Sequence, residues 1–182
     1  MKTVSFLDRK FKMSISRSQI RNSIEHIAER INNDYNGKEI LFVAVLNGAF
    51  MFAADLVRKV KPLCRITFVK VASYKGDASE GIIRELIGLK EDLNDKHIIL
   101  IEDIVDTGFT LWHIMQQIKS TYKPASIAVA TLLFKPQSYR KSIAIDYVGI
   151  EIPANFVIGC GLDFNGYGRN FEDIYAIVEE NQ

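Results

Sequence analysis

A chain of 182 residues is the size of one domain built around one hydrophobic core. At 48% hydrophobic and 25% charged, it falls outside the disordered, collagen-like and repeat classes. The 23 Lys and Arg against 22 Asp and Glu leave a net charge of +1, so no global field draws the protein to nucleic acid or an anionic membrane. Any anion must be held by a local site. Cys64 and Cys160 fit neither a metal knuckle nor a disulfide framework and read as reduced, semi-buried thiols. The start, MKTVSFLDRKFKMS, lacks an apolar stretch followed by a cleavage site, and no apolar run reaches the roughly 18 residues of a membrane span, so a cytoplasmic location is expected.

Ser16 to Asn36 carries Ile20, Ile24, Ile27 and Ile31 at helical spacing, with a capping box from Ser16 to Gln19 and Gly37 as the stop. Ile40 to Leu46 is a continuous apolar run, the pattern of a parallel strand covered on both faces, and Asn47-Gly48 ends it. A helix is predicted over Ala49 to Val60 and an alternating strand over Arg65 to Ser73. Tyr74 to Gly81, with two glycines and small polar residues, is the candidate mobile loop. Ile82 to Ile87 is a short segment followed by a polar turn. His97 to Ile101 is a second buried strand, followed by a helix over Thr110 to Tyr122. Ser126 to Phe134 and Ile143 to Ile150 repeat the strand signature, and short apolar pieces lie around Val157 and over Ile174 to Val178. This succession predicts an α/β fold with a mainly parallel, doubly wound sheet.

In such sheets ligands gather beyond the C-terminal ends of the strands, where Glu102-Asp103-Ile104-Val105-Asp106-Thr107-Gly108-Phe109-Thr110 opens a helix. Asp106 to Thr110 offer backbone N–H groups, two hydroxyls and a glycine at a helix N-terminus, which suit a phosphate dianion. Glu102 and Asp103 can chelate a diol or hold Mg²⁺ through water. Together they describe a grip on a phosphorylated ribose. The alternative is a solvated acidic turn whose last members cap the helix. No Walker loop and no Gly-x-Gly-x-x-Gly fingerprint is present, which removes support from triphosphate hydrolysis and dinucleotide binding.

The stretch Ile98 to Leu111 (IILIEDIVDTGFTL) resembles the phosphoribosyl-pyrophosphate motif of type I phosphoribosyltransferases. Val43 to Phe52, Leu132 to Lys135, and Gly149 to Pro153 with Asn155 to Gly159, Leu162 to Asn165 and Arg169-Asn170 resemble its hypoxanthine(-guanine) branch, in colinear order over about residues 5 to 178. The resemblance implies a type I phosphoribosyltransferase fold with a small hood and a flexible active-site loop. The implied reaction is a Mg²⁺-dependent transfer from phosphoribosyl pyrophosphate to hypoxanthine, and to guanine, by a homodimer or homotetramer.

Position by position, it implies that Glu102 and Asp103 engage the ribose hydroxyls and Mg²⁺, and that Asp106, Thr107, Gly108, Phe109 and Thr110 bind the 5′-phosphate. Asp106 would also act as general base at purine N7. Lys135 would donate to the 6-oxo oxygen, which disfavours adenine. Phe156 would stack on the base, and Val157 would meet its edge through its backbone. Asp163 would complete the base side of the pocket and bind a second Mg²⁺ at the pyrophosphate, where Arg169 pairs with oxygens. Leu46, Asn47 and Gly48 would form a pyrophosphate loop with a non-proline cis peptide, and Ser73-Tyr74 would begin the lid. The ordinary readings of these residues are an N-cap, a strand-end lysine, a core aromatic, a turn aspartate and a surface arginine. Asn47 stands where many members carry lysine, Cys160 where an aromatic is common, and Phe109 where lysine or leucine is frequent. His26, His97 and His113 carry no metal-site spacing and are assigned no chemistry. Rival readings are a xanthine-preferring enzyme, an RNA-binding regulator on the same fold, which the balanced charge disfavours, and a non-catalytic homologue.

Overall fold

The structure, a computed structural model, describes residues 2–74 and 82–178. Helix α1 (Arg17–Asp34) begins where its sequence says it should: the Gln19 N–H bonds the Ser16 hydroxyl, and the Gln19 side chain accepts the Ser16 N–H at 3.0 Å. Its buried face is Ile20, Ile24, Ile27, Ala28 and Ile31. It stops at Asp34, two residues before the predicted end, and Gly37 makes the turn at φ +75°.

Strand β3 (Ile40–Leu46) shows why its apolar run lacks alternation. Ile40, Phe42 and Ala44 point into the core shared with α1 and with α2 (Phe50–Val57), whereas Leu41, Val43 and Val45 point into the core shared with α3 (Phe109–Thr121). Both faces are covered, so both must be apolar. Helix α2 is shorter than the predicted Ala49 to Val60, because the chain tightens into turn bonds from Lys59 N–H to Leu56 and from Val60 N–H to Val57 ahead of Pro62.

The large sheet also holds β4 (Cys64–Tyr74), β5 (Ile82–Ile87), β6 (His97–Val105), β7 (Ser126–Phe134) and β8 (Tyr147–Glu151). Its order is β5-β4-β3-β6-β7-β8, parallel throughout except for the antiparallel edge strand β5. Two predicted boundaries are corrected here. Strand β6 continues past Ile101 to Val105, so Glu102 and Asp103 belong to a strand end and not to a solvated turn. Strand β8 begins at Tyr147 and not at Ile143, because the Asp146 carboxylate accepts the Val129 N–H at 2.8 Å, and ladder pairing to β7 starts one residue later.

A second, antiparallel sheet of β1 (Thr3–Phe6), β2 (Arg9–Ile15), β10 (Ile174–Ile177) and β9 (Val157–Ile158), ordered β1-β2-β10-β9, forms the hood. Its N-terminal hairpin was not anticipated. Leu7 and Asp8 turn it at φ 49° and 56°, a conformation normally signalled by Asn-Gly or Asp-Gly. Phe11, Ile158 and Tyr175 form its buried centre, with Phe6 stacked on Phe11 at 5.1 Å.

Candidate active site

From the centre of the large sheet the chain leaves in opposite directions. β3 connects through α2 to β4 on one side, while β6 connects through α3 to β7 on the other. Such a switch point opens a crevice beyond the strand ends. Two of the predicted site segments, Leu46-Asn47-Gly48 and Asp103 to Gly108, leave their strands there, side by side.

On β6 the acidic pair is buried rather than solvated. Asp103 is 7% exposed, and Glu102 Oε2 is enclosed with no hydrogen-bond partner. Burial first, and then the negative charge of Asp103, push the Glu102 carboxyl well above the usual carboxylate range. Burial likewise raises Asp103 to about 6, against the opposing hydrogen bond from the Ile104 N–H at 2.9 Å. Two carboxyls held together out of water disfavour each other's charge, only partly offset at Asp103 by the positive charge of Arg169, and hard oxygen donors of this kind suit Mg²⁺.

Beyond Val105 the segment expected to bind phosphate bends through Gly108 at φ +80° into α3. Residues Asp106 to Leu111, with Glu102, Ile104 and Val105, line a depression of about 90 Å³. Phe109 turns its ring onto Trp112, with centroids 6.1 Å apart. Register decides the neighbour of Asp106. Val105 pairs with Phe134 across β6 and β7, and the Lys135 N–H bonds the Val105 carbonyl, so the next residue of each strand meets the other. Lys135 Nζ lies 2.8 Å from Asp106 Oδ2. The lysine side chain is 9% exposed and the aspartate side chain 46%, so this is not the exposed strand terminus that its sequence position would suggest.

The Leu46–Asn47 peptide bond is cis, as the resemblance implied. Gly48 lies against the Asp103 carboxylate, where a Cβ would overlap Oδ2. Gly161, at φ +97°, in turn lies against the Gly48 carbonyl. Arg169 closes the chain of contacts: its Nη1 donates to the Gly161 carbonyl at 2.6 Å, and its Nη2 pairs with Asp163 at 2.7 Å. The other Asp163 oxygen accepts the Gly166 N–H. Asp163 and Arg169 thus stand beside Gly161 and Gly48 as an ion pair, and Asp163 does not join Glu102 and Asp103. Among the described residues no three His, Cys, Asp or Glu side chains converge.

Phe156 is 44% exposed, edge-on to Phe164, and is free on its outer face rather than buried in core. Val157 is buried in β9. Ser73 and Tyr74 pair with Ile83 and Ile82 as the last residues of β4, and the lid expected over the following residues falls on 75–81, outside the described residues. Both thiols are free, with burial pushing Cys160 up to about 11, in keeping with a packing role. Gly161, packed on Gly48 at the candidate site, is the residue that sequence reading missed. Its signal was the glycine pair flanking Cys160, which has meaning only once Gly48 is known to press against it.

These features define a phosphoribosyltransferase, and comparison with known proteins agrees: the chain belongs to the phosphoribosyl transferase domain family, which matches residues 16–165. It is 34% identical to the hypoxanthine-guanine phosphoribosyltransferase of Aquifex aeolicus over 94% of this chain and 97% of that one. With the hypoxanthine phosphoribosyltransferase of Haemophilus influenzae it shares 35% identity over 91% and 94%. A crystal structure of the hypoxanthine-guanine phosphoribosyltransferase of Bacillus anthracis superposes with a TM-score of 0.86 at 33% identity, covering 92% of this chain and 97% of that one. The hypoxanthine phosphoribosyltransferase of Trypanosoma cruzi gives 0.87 at 32%, covering 96% and 95%. The particular group is therefore the hypoxanthine(-guanine) phosphoribosyltransferases.

Proposed function

We propose that this protein transfers the 5-phosphoribosyl group of phosphoribosyl pyrophosphate to N9 of hypoxanthine and of guanine, releasing pyrophosphate and the nucleoside monophosphate in purine salvage. The observation that carries the reading is the Lys135–Asp106 pair beside the phosphate loop, which sets a donor for a 6-oxo purine next to a proton acceptor. An ammonium selects an oxo group over the amino group of adenine.

Backbone N–H groups of Thr107, Gly108, Phe109 and Thr110 hold the 5′-phosphate, aided by the N-terminus of α3. Glu102 and Asp103 accept the ribose hydroxyls, directly or through Mg²⁺, for which the enclosed, unpartnered Glu102 Oε2 is a fitting ligand. When bound, the ion supplies positive charge against the pyrophosphate oxygens. As N9 bonds to the anomeric carbon and the bond to pyrophosphate breaks, Asp106 takes the N7 proton, and Lys135 shifts from the carboxylate to the 6-oxo oxygen. Phe156 stacks on the ring through its open face, with the Val157 backbone at the base edge. The cis-peptide segment Leu46-Asn47-Gly48 cradles pyrophosphate. Arg169, which pairs with Asp163 at 2.7 Å, would turn to the pyrophosphate oxygens, and Asp163 would be the residue to hold a second Mg²⁺ there. Ser73-Tyr74 lead into the lid that excludes water. Assembly as a homodimer or homotetramer and a cytoplasmic location go with this reading. Among the described residues no helix is long and apolar enough to cross a membrane.

The test is nucleotide formation from phosphoribosyl pyrophosphate and Mg²⁺ with hypoxanthine, guanine, xanthine and adenine in parallel. Formation of inosine monophosphate that stops on chelation is expected. Product with xanthine or adenine alone, or no product from folded protein, would overturn it.

A further inference from the structure

Three successive residues of the β7–β8 connection each pack against the proposed phosphate loop. The Tyr139 ring covers Gly108 so closely that a Cβ there would overlap it, and the Arg140 N–H bonds the Thr107 carbonyl at 3.2 Å. The Lys141 ammonium stands 5.1 Å from the Phe109 ring centroid and 4.6 Å from that of Trp112, its Cβ also in van der Waals range of a Cβ placed on Gly108. Tyr139 is itself fixed, its hydroxyl donating to the Ile143 carbonyl at 2.6 Å and its ring edge-on to Phe134 at 5.3 Å.

We infer that Tyr139, Arg140 and Lys141 form a clasp of positioning residues for the phosphate loop, and that Lys141 adds the local positive charge that favours a phosphorylated ligand there. The clasp acts on geometry. Backbone N–H groups bind a dianion well only when held in one conformation before it arrives, and a loop containing a glycine at positive φ does not hold itself. The Tyr139 ring and the Arg140 hydrogen bond restrict Thr107 and Gly108. The two stacked aromatic faces confine the Lys141 ammonium beside the helix N-terminus without neutralising it, as a carboxylate would. The same segment begins at Lys135, whose carbonyl accepts the Ser138 N–H, so the purine lysine and the clasp are joined by one turn.

This inference rests on the proposed transferase reading, and its test separates the two. Lys141→Met removes the charge and keeps the stem. Lys38→Met, at an exposed lysine 5.4 Å over the Tyr35 ring and remote from the site, is the control for equal loss of charge. Lys141→Met is expected to raise KM for phosphoribosyl pyrophosphate about five-fold, with kcat and KM for hypoxanthine within about two-fold. Lys141→Arg should restore the value, and about 1 M salt should shrink the deficit. Affinity for inosine monophosphate should fall while affinity for inosine, lacking the phosphate, stays. Tyr139→Leu should show the same pattern, and should it fail to fold the Lys141 variants decide. Lys141→Met behaving like Lys38→Met, or both Michaelis constants rising together, would overturn the clasp. An inactive wild-type protein would overturn the transferase reading instead.

Discussion

Lys135 Nζ and Asp106 Oδ2 meet at 2.8 Å because the two residues occupy equivalent places, each the first beyond its strand, on neighbouring parallel strands in register. A pair so placed gives the proposed donor and acceptor for the purine a common origin in the β6–β7 ladder.

The two members should separate kinetically. Asp106→Asn keeps a hydrogen-bonding side chain of the same size and removes the proton acceptor, so kcat is expected to fall about 10²- to 10⁴-fold while the Michaelis constant for phosphoribosyl pyrophosphate changes little. Lys135→Ala should raise the purine Michaelis constant most. Equal losses in kcat and in phosphoribosyl-pyrophosphate binding for Asp106→Asn would reassign it to phosphate binding.

At Glu102, function and stability should oppose each other. The buried carboxyl has an unpartnered oxygen beside Asp103 and its charged form is disfavoured by burial, so Glu102→Gln, which carries no charge, removes the cost of ionising it in the ligand-free protein. A Tm raised by about 2–4 °C is expected, together with loss of the further Tm rise that Mg²⁺ and phosphoribosyl pyrophosphate give the wild type. A lowered Tm without ligand would contradict this.

Gly161→Ala tests the packing against Gly48 in the proposed pyrophosphate segment. Its Cβ would overlap the Gly48 carbonyl, and its φ of +97° disfavours any side chain. A loss of about 1–3 kcal/mol in denaturant unfolding is expected, with a larger proportional loss in phosphoribosyl-pyrophosphate affinity than in purine affinity. Ala tolerated with unchanged affinities would show that the contact does not position the loop.

Acid unfolding should report on Asp173, which accepts from Lys2 Nζ and from the Arg17 N–H at the start of α1, both at 2.9 Å. The Lys2 hydrogen bond first, and then that of Arg17, hold its carboxyl below the usual carboxylate range. A folded pKa below the unfolded one gives stability that is present above about pH 4 and is lost as pH falls through the folded pKa. Asp173→Asn should therefore lower stability at neutral pH and flatten its decline in acid, measured as Tm against pH. Parallel Tm curves for the two proteins would remove Asp173 from the acid response.

How much of this was legible beforehand follows from the range of the forces involved. The capping box at Ser16 and Gln19, the isoleucine stripe of α1, the two-sided apolar run of β3 and the order strand, acidic pair, Asp-Thr-Gly-x-Thr, helix are local patterns, and each formed nearly as read. Burial of Glu102 and Asp103 was not legible, because a carboxylate pair reads as solvated until neighbouring strands and Gly48 enclose it. The Leu7-Asp8 hairpin lacked the residues that normally announce its turn, and packing of Phe6 and Phe11 with the C-terminal strands holds it in place. The sequence by itself determined the alternation of elements, the strand end at which an anion could bind and the residue types available to bind it. Tertiary structure alone decided that Lys135 would face Asp106, that Gly161 would press on Gly48 and that Tyr139 to Lys141 would pack against Thr107 to Phe109. Each of those contacts joins segments that only strand register and sheet order bring together, and nothing local to either partner encodes the distance between them.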